Sequence, residues 1–117
     1  MVEITKTSRE FTKVETYLMT VAPGIISLKD VPDGTSIDVS GTLEFTDMKD
    51  STGEFVEIIS IITPDNKVYS AQSKTVKRSI HDIENIMDGE QFSIIKTSGI
   101  TKAGRSFINI ELDTTKL

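Results

Sequence analysis

From Thr35 to Phe45, the apolar residues Ile37, Val39, Leu43 and Phe45 alternate with Asp38, Ser40, Thr42 and Glu44. This is the period of two that marks a strand with one apolar and one wet face. Gly41 interrupts the run, and a glycine inside a long strand marks a bulge or sharp coil that lets a sheet bend towards a barrel. After a polar turn over 47–53, Phe55 to Ile62 (FVEIISII) is almost continuously apolar. Such a strand is covered on both faces, or by core on one and by a ligand or partner on the other. Thr63-Pro64-Asp65-Asn66 predicts a turn, because proline presets φ and the Asp and Asn side chains can bond their own backbone. A short strand follows over 67–71.

The period changes at Ser73, a suitable N-cap. Val76, Ile80, Ile83 and Met87 then fall on one stripe of an amphipathic helix that ends at Asp88-Gly89. Two more strands are predicted over 91–97 and 105–112, joined by a hairpin loop over 98–104. The last strand puts Ile108, Ile110 and Leu112 on one face and Phe107, Asn109 and Glu111 on the other. Three strands, a helix and two strands is the order of an OB-fold. The expected fold is therefore all-β (β-rich): an OB-fold-like five-stranded barrel with one helix between strands 3 and 4, over residues 32–117. Residues 1–31 read as an N-terminal extension with one candidate strand over Phe11–Val21 and a break at Pro23-Gly24. The extension can add a strand or tie one molecule to another.

Composition agrees with this picture and narrows it. Ile, Val and Thr make up one third of the 117 residues, and a chain of this length supports one core. No apolar run approaches the ~18–20 residues of a bilayer span, and no apolar signal core opens the chain, so a soluble, intracellular protein is expected. Cysteine is absent, which excludes disulfides and thiolate metal sites. The single histidine, His81, has no second His or Cys with which to form a triad or a zinc site. Asp47, Asp50 and Glu54 lack the spacing of a calcium loop, and no glycine-rich phosphate loop or nucleophile elbow is present. Neither catalysis, metal nor cofactor is expected.

The net charge of −5 speaks against nucleic acid until its distribution is considered. Residues 1–65 hold 5 basic and 12 acidic side chains, whereas residues 66–110 hold 7 basic and 4 acidic. Readers of single strands need flat rings on which bases stack, set in a basic groove that follows the backbone. If Val68 points to the core, Lys67 and Tyr69 point out together. On the last strand Phe107 turns away from the apolar face, beside Arg105 and near Lys102. Phe45 ends the first strand at the mouth of the expected barrel. Core packing is the competing reading for every phenylalanine; it is preferred for Phe92 and Phe55 and stands as an alternative for Phe45. Lys74 and Lys77 extend the basic stretch into the helix.

Three blocks also resemble a known family: Leu28-Lys29-Asp30-Val31-Pro32-Asp33-Gly34-Thr35, Val68-Tyr69-Ser70-Ala71-Gln72-Ser73-Lys74-Thr75-Val76, and Lys102-Ala103-Gly104-Arg105-Ser106-Phe107. They are similar, in order and spacing, to stretches of the single-stranded-DNA-binding proteins of small protein-primed phages of the phi-twenty-nine type. The resemblance runs from about Leu28 to Leu112, with no match before it. It implies a non-catalytic protein that coats and protects DNA strands displaced during phage replication, in the host cytoplasm, with replication proteins such as the phage DNA polymerase as further partners. The family's stacking tyrosine falls on Tyr69 and a second stacking aromatic on Phe45. A third position falls on Thr52, which has no ring.

The resulting site is Tyr69, Phe45 and Phe107 for bases, and Lys67, Lys74, Lys77, Lys102 and Arg105 for phosphates. The rival expectation is an OB-like protein-interaction module, in which the apolar strand over 56–62 and the N-terminal segment serve a protein partner and the lysines are ordinary surface. Self-association through that segment is a further candidate interaction.

Overall fold

The computed structural model describes residues 2–48 and 53–116. Its strands are β1 (Glu3–Thr7), β2 (Ile26–Ser27), β3 (Ser36–Val39), β4 (Gly41–Met48), β5 (Phe55–Ile62), β6 (Val68–Ala71), β7 (Phe92–Ile100) and β8 (Ser106–Leu112), and its helices α1 (Lys13–Thr20) and α2 (Lys74–Met87). One sheet has the order β1-β4-β5-β6-β2 and the other the order β3-β7-β8. The strand-rich, OB-like class expected from the sequence is what forms, with α2 between the third and fourth of the expected strands.

The expected first strand is divided at Ser40. Its first part, β3, pairs with β7 (Ile37↔Ile94), and its second, β4, pairs with β5 (Phe45↔Ile58) and with β1. The break also reverses the facing of the side chains. Ile37 and Val39 enter the main core with Ile59, Ile61, Val76, Ile80 and Ile94, whereas Leu43 and Phe45 enter a second cluster with Met19, Ile62 and Val68. A single irregularity is enough, because side chains alternate with a period of two. Gly41 lets the Phe11 ring approach the backbone closely there. A Cβ on it would lie 2.7 Å from Cζ of Phe11, whose ring carries the Arg9 guanidinium at 4.3 Å.

The second cluster exists because the N-terminal segment folds onto the sheet. The stretch expected as a strand over Phe11–Val21 is instead largely helical. Thr12 caps α1, accepting from the Glu15 N–H at 3.1 Å, while the Glu15 carboxylate accepts from the Thr12 N–H at 3.0 Å. Such a reciprocal pair satisfies two of the donors that a helix start leaves free. Met19 is fully buried, and its carbonyl accepts from the Ser60 hydroxyl at 2.6 Å. The second half of β5 is thus covered on one face by the core and on the other by α1. Its Ile59, Ile61 and Ile62 are fully buried, which accounts for its unbroken apolar sequence. β2 lies parallel along β6, so β6 pairs with β2 and not with β8, and the two sheets stay separate.

Candidate nucleic-acid interface

A groove of about 760 Å³ opens between β6 with the start of α2 and the β7–β8 hairpin. Ser70, Gln72 and Ser73 form one wall, Ser98, Ser106 and Phe107 the other, and Ser27 and Lys29 close one side. Phe107 is 39% exposed and lies over Gly99, its cross-strand partner, where an added Cβ would come 2.5 Å from the ring. An aromatic that covers a glycine on the neighbouring strand is held without a bulky competitor. At the hairpin tip Arg105 N–H donates to the Thr101 hydroxyl at 3.2 Å, and Thr101 N–H to the Arg105 carbonyl at 2.8 Å. The exposed Lys102 and Arg105 therefore sit on a closed turn. The Ser73 hydroxyl accepts from the Val76 N–H at 3.2 Å, fixing the start of α2, whose first turn contains no acid.

The residues expected to form the site divide into groups. Phe107, Lys102 and Arg105 share the hairpin, and Lys74 follows Ser73 on the facing wall; all four are open to solvent. Lys67 is exposed, but it lies at the far end of β6 and borders a different recess, with Leu18 and Ile26. Tyr69 is half-buried on the main core, with Ile61 and Ile26 as neighbours across the strands. The inference that it points outward because Val68 points inward fails, because α1 gives the sheet a second covered face and Val68 belongs to it. Phe45 is 3% exposed in the same cluster and presents no ring face to a base. Phe55, expected in the core, is instead 62% exposed. Phe92 is buried as expected. Asp50 and Thr52 lie outside the described residues.

Lys77 is not a free cation. Its ammonium lies 3.2 Å from Glu57 and 3.9 Å from Glu44, and His81 Nε2 meets the other Glu44 oxygen at 2.6 Å. One turn on, Glu84 accepts from the buried Thr42 hydroxyl at 2.9 Å, and burial pushes its carboxyl above the ordinary value of 4.5. These contacts fasten α2 to β4 and β5. Lys96 borders the groove but is itself buried, and it donates to Asp33 at 2.9 Å. The Ser98 hydroxyl donates to the same carboxylate, and these two bonds hold Asp33 below its usual range.

Lys29 and Gln72 reach the groove without having been singled out. Each stands in one of the matching blocks, but Lys29 arrives only because β2 aligns beside β6. Among the described residues no cluster of His, Cys, Asp and Glu could hold a metal ion, and no helix is long and apolar enough to cross a membrane.

Curated single-stranded DNA-binding proteins from Bacillus phage PZA and Bacillus phage phi29 are each 29% identical to this chain over 91 residues, 74% of its length and 73% of theirs. No solved structure matches. A family model described as phage single-stranded DNA-binding protein matches residues 4–113, reaching well ahead of Leu28 into α1 and β1. The chain belongs to the phi29-type family of phage single-stranded DNA-binding proteins.

Proposed function

We propose that the chain coats single-stranded DNA without sequence preference, protecting strands displaced in phage replication and performing no catalysis, and that the strand follows the groove between β6 and the β7–β8 hairpin. The observation that carries this reading is Phe107, a ring on the groove wall held over Gly99, in the same hairpin as the exposed Lys102 and Arg105. Phe107 stacks on a base. Lys102, Arg105, Lys74 and Lys29 meet phosphates, and Tyr69 adjoins the track through Ser70. Phe45 and Lys77 act structurally, one within the cluster beneath α1 and one as the tie between α2 and β5. Contact with replication proteins such as the phage polymerase, and association of copies through the N-terminal segment, belong to the same proposal. The rival reading, a module for a protein partner, loses its main support because the apolar strand is covered by the chain's own α1.

Titration with poly-dT at two salt concentrations, followed by gel shift, tests the assignment. Phe107→Ala should weaken binding by about tenfold or more, since a stacked base is worth ~1–3 kcal/mol. Lys102→Ala should lower the salt slope by about 0.7, the value for one lost phosphate contact on a single strand, whereas Lys77→Ala should leave the slope unchanged. Unaltered affinity in Phe107→Ala, or a slope that responds to Lys77 and not to Lys102, contradicts it.

A further inference from the structure

We infer that Phe55 is a second base-stacking position, one that carries the DNA past the end of the groove and around the start of α2. This rests on the reading of the groove as the DNA track, and it concerns a residue that the sequence assigned to the core. Phe55 opens β5 and is 62% exposed. Side chains two apart on a strand share a face, about 7 Å from one another, so Phe55 stands on the face of Glu57, which α2 crosses.

The direction of the crossing follows from its contacts. Glu84 meets Thr42, His81 meets Glu44, and Lys77 meets both Glu44 and Glu57. The paired positions Thr46↔Glu57 and Met48↔Phe55 continue this ladder towards the start of the helix. Phe55 therefore lies at the end of the molecule where Lys74 begins α2, and Ser73, the residue before it, lines the groove.

The exposed ring is thus next in line after the groove wall and Lys74, which makes no ion pair among the described residues. The acids beside the ring are engaged: Glu57 holds Lys77, and Glu54 has a partner of its own. An exposed aromatic anchored on a strand, on the side of the molecule where the cation Lys74 begins α2, matches the flat face and charge of an unpaired nucleotide. The base stacks on Phe55 and the adjoining phosphate meets Lys74.

The chain contains no tryptophan, so Phe55→Trp provides an optical probe at this one position, with Phe107→Trp as its counterpart in the groove. Titration with dT oligomers should quench the emission of both. Phe55→Leu, which keeps an apolar side chain but loses the ring face, should bind an oligomer of about 16 nucleotides about tenfold more weakly while binding one of about 4 nucleotides normally, these being the limits of site size for such folds. If Phe55→Leu equals the unaltered protein at both lengths and Phe55→Trp is not quenched, while Phe107→Ala loses affinity, the inference is overturned and the groove stands. An equal loss at both lengths also overturns it, because Phe55 would then lie within the short track and not beyond it. If the unaltered protein binds neither oligomer, the reading of the groove fails first.

Discussion

The two phenylalanines at the ends of the β4–β5 hairpin show how a single position can defeat a pattern. Phe45 continues an alternating run, and Phe55 opens a solid apolar one, so the first looks available and the second buried. The break at Ser40–Gly41 reverses which parity faces α2, and packing in the cluster that contains Met19 of α1 removes Phe45 from solvent, while Phe55, at the start of β5, stays exposed. The same reversal buries Thr42 and Glu44, which alternation had placed on a wet face, and sets Glu84 against them. Burial raises the Glu84 carboxyl above 4.5 against the opposing hydrogen bond from Thr42. The folded protein then binds this proton more tightly than the unfolded chain does, so the contribution to stability is greatest at low pH and is lost as pH rises through the raised value. Glu84→Gln, which keeps an acceptor for Thr42, should raise the melting temperature at neutral pH. The gain should be no more than about 1 kcal/mol, because the carboxyl is only half-buried. The difference should vanish near pH 4. Thermal unfolding at the two pH values measures this, and a variant less stable than the parent at neutral pH contradicts it.

Most elements were legible because their signals are local. β5, β6, α2 with its Ser73 cap, and the β7–β8 hairpin stand within a few residues of their predicted places, and Asp88 (φ 48) and Gly89 (φ 88) both turn left-handed where α2 ends. α1 forms where the sequence predicts a strand, although Thr12-x-x-Glu15 is the signature of a capping box. Its eight residues are too few to display a helical period clearly, and the exposure of Val14, Tyr17 and Val21 leaves little amphipathic contrast. A helix this short depends on its cap and its packing. Hydrogen bonds from Arg9 and from the Thr12 backbone hold the Glu15 carboxyl down to about 2. That stabilisation is fully present above the ordinary carboxyl value of 4.5 and is lost as pH falls towards 2. Amide exchange in α1 should therefore accelerate between pH 5 and 2, beyond the intrinsic change, while α2 keeps its protection, and Thr12→Ala should show the faster exchange already at pH 5. Equal protection of α1 across this range would show that the cap contributes nothing.

At the scale of the molecule, the partition of charge was readable and its placement in space was not. The basic second half of the sequence does not form one stripe. Lys77 and Lys96 are used internally and Lys67 lies at the far end of β6; Lys29, from the acidic half, lines the groove, while the exposed Lys74 follows Ser73 of one wall and Lys102 and Arg105 stand at the tip of the hairpin that forms the other. Lys29 comes to the groove through the pairing of β2 with β6, a long-range fact that no local window contains. An acidic protein can hold DNA in this way because affinity follows the phosphates neutralised along the track, not the sum over the surface.

A second cleft, of about 470 Å³ between Lys6–Arg9, Gly41 and the end of α2, offers the sharpest contrast to the groove. Backbone amide shifts on adding a dT oligomer to the full-length protein distinguish the two sites directly. The account predicts perturbations concentrated over residues 70–74 and 98–107, with His81–Phe92 unchanged. Shifts centred on His81–Phe92 and Lys6–Arg9, with the hairpin silent, would contradict it.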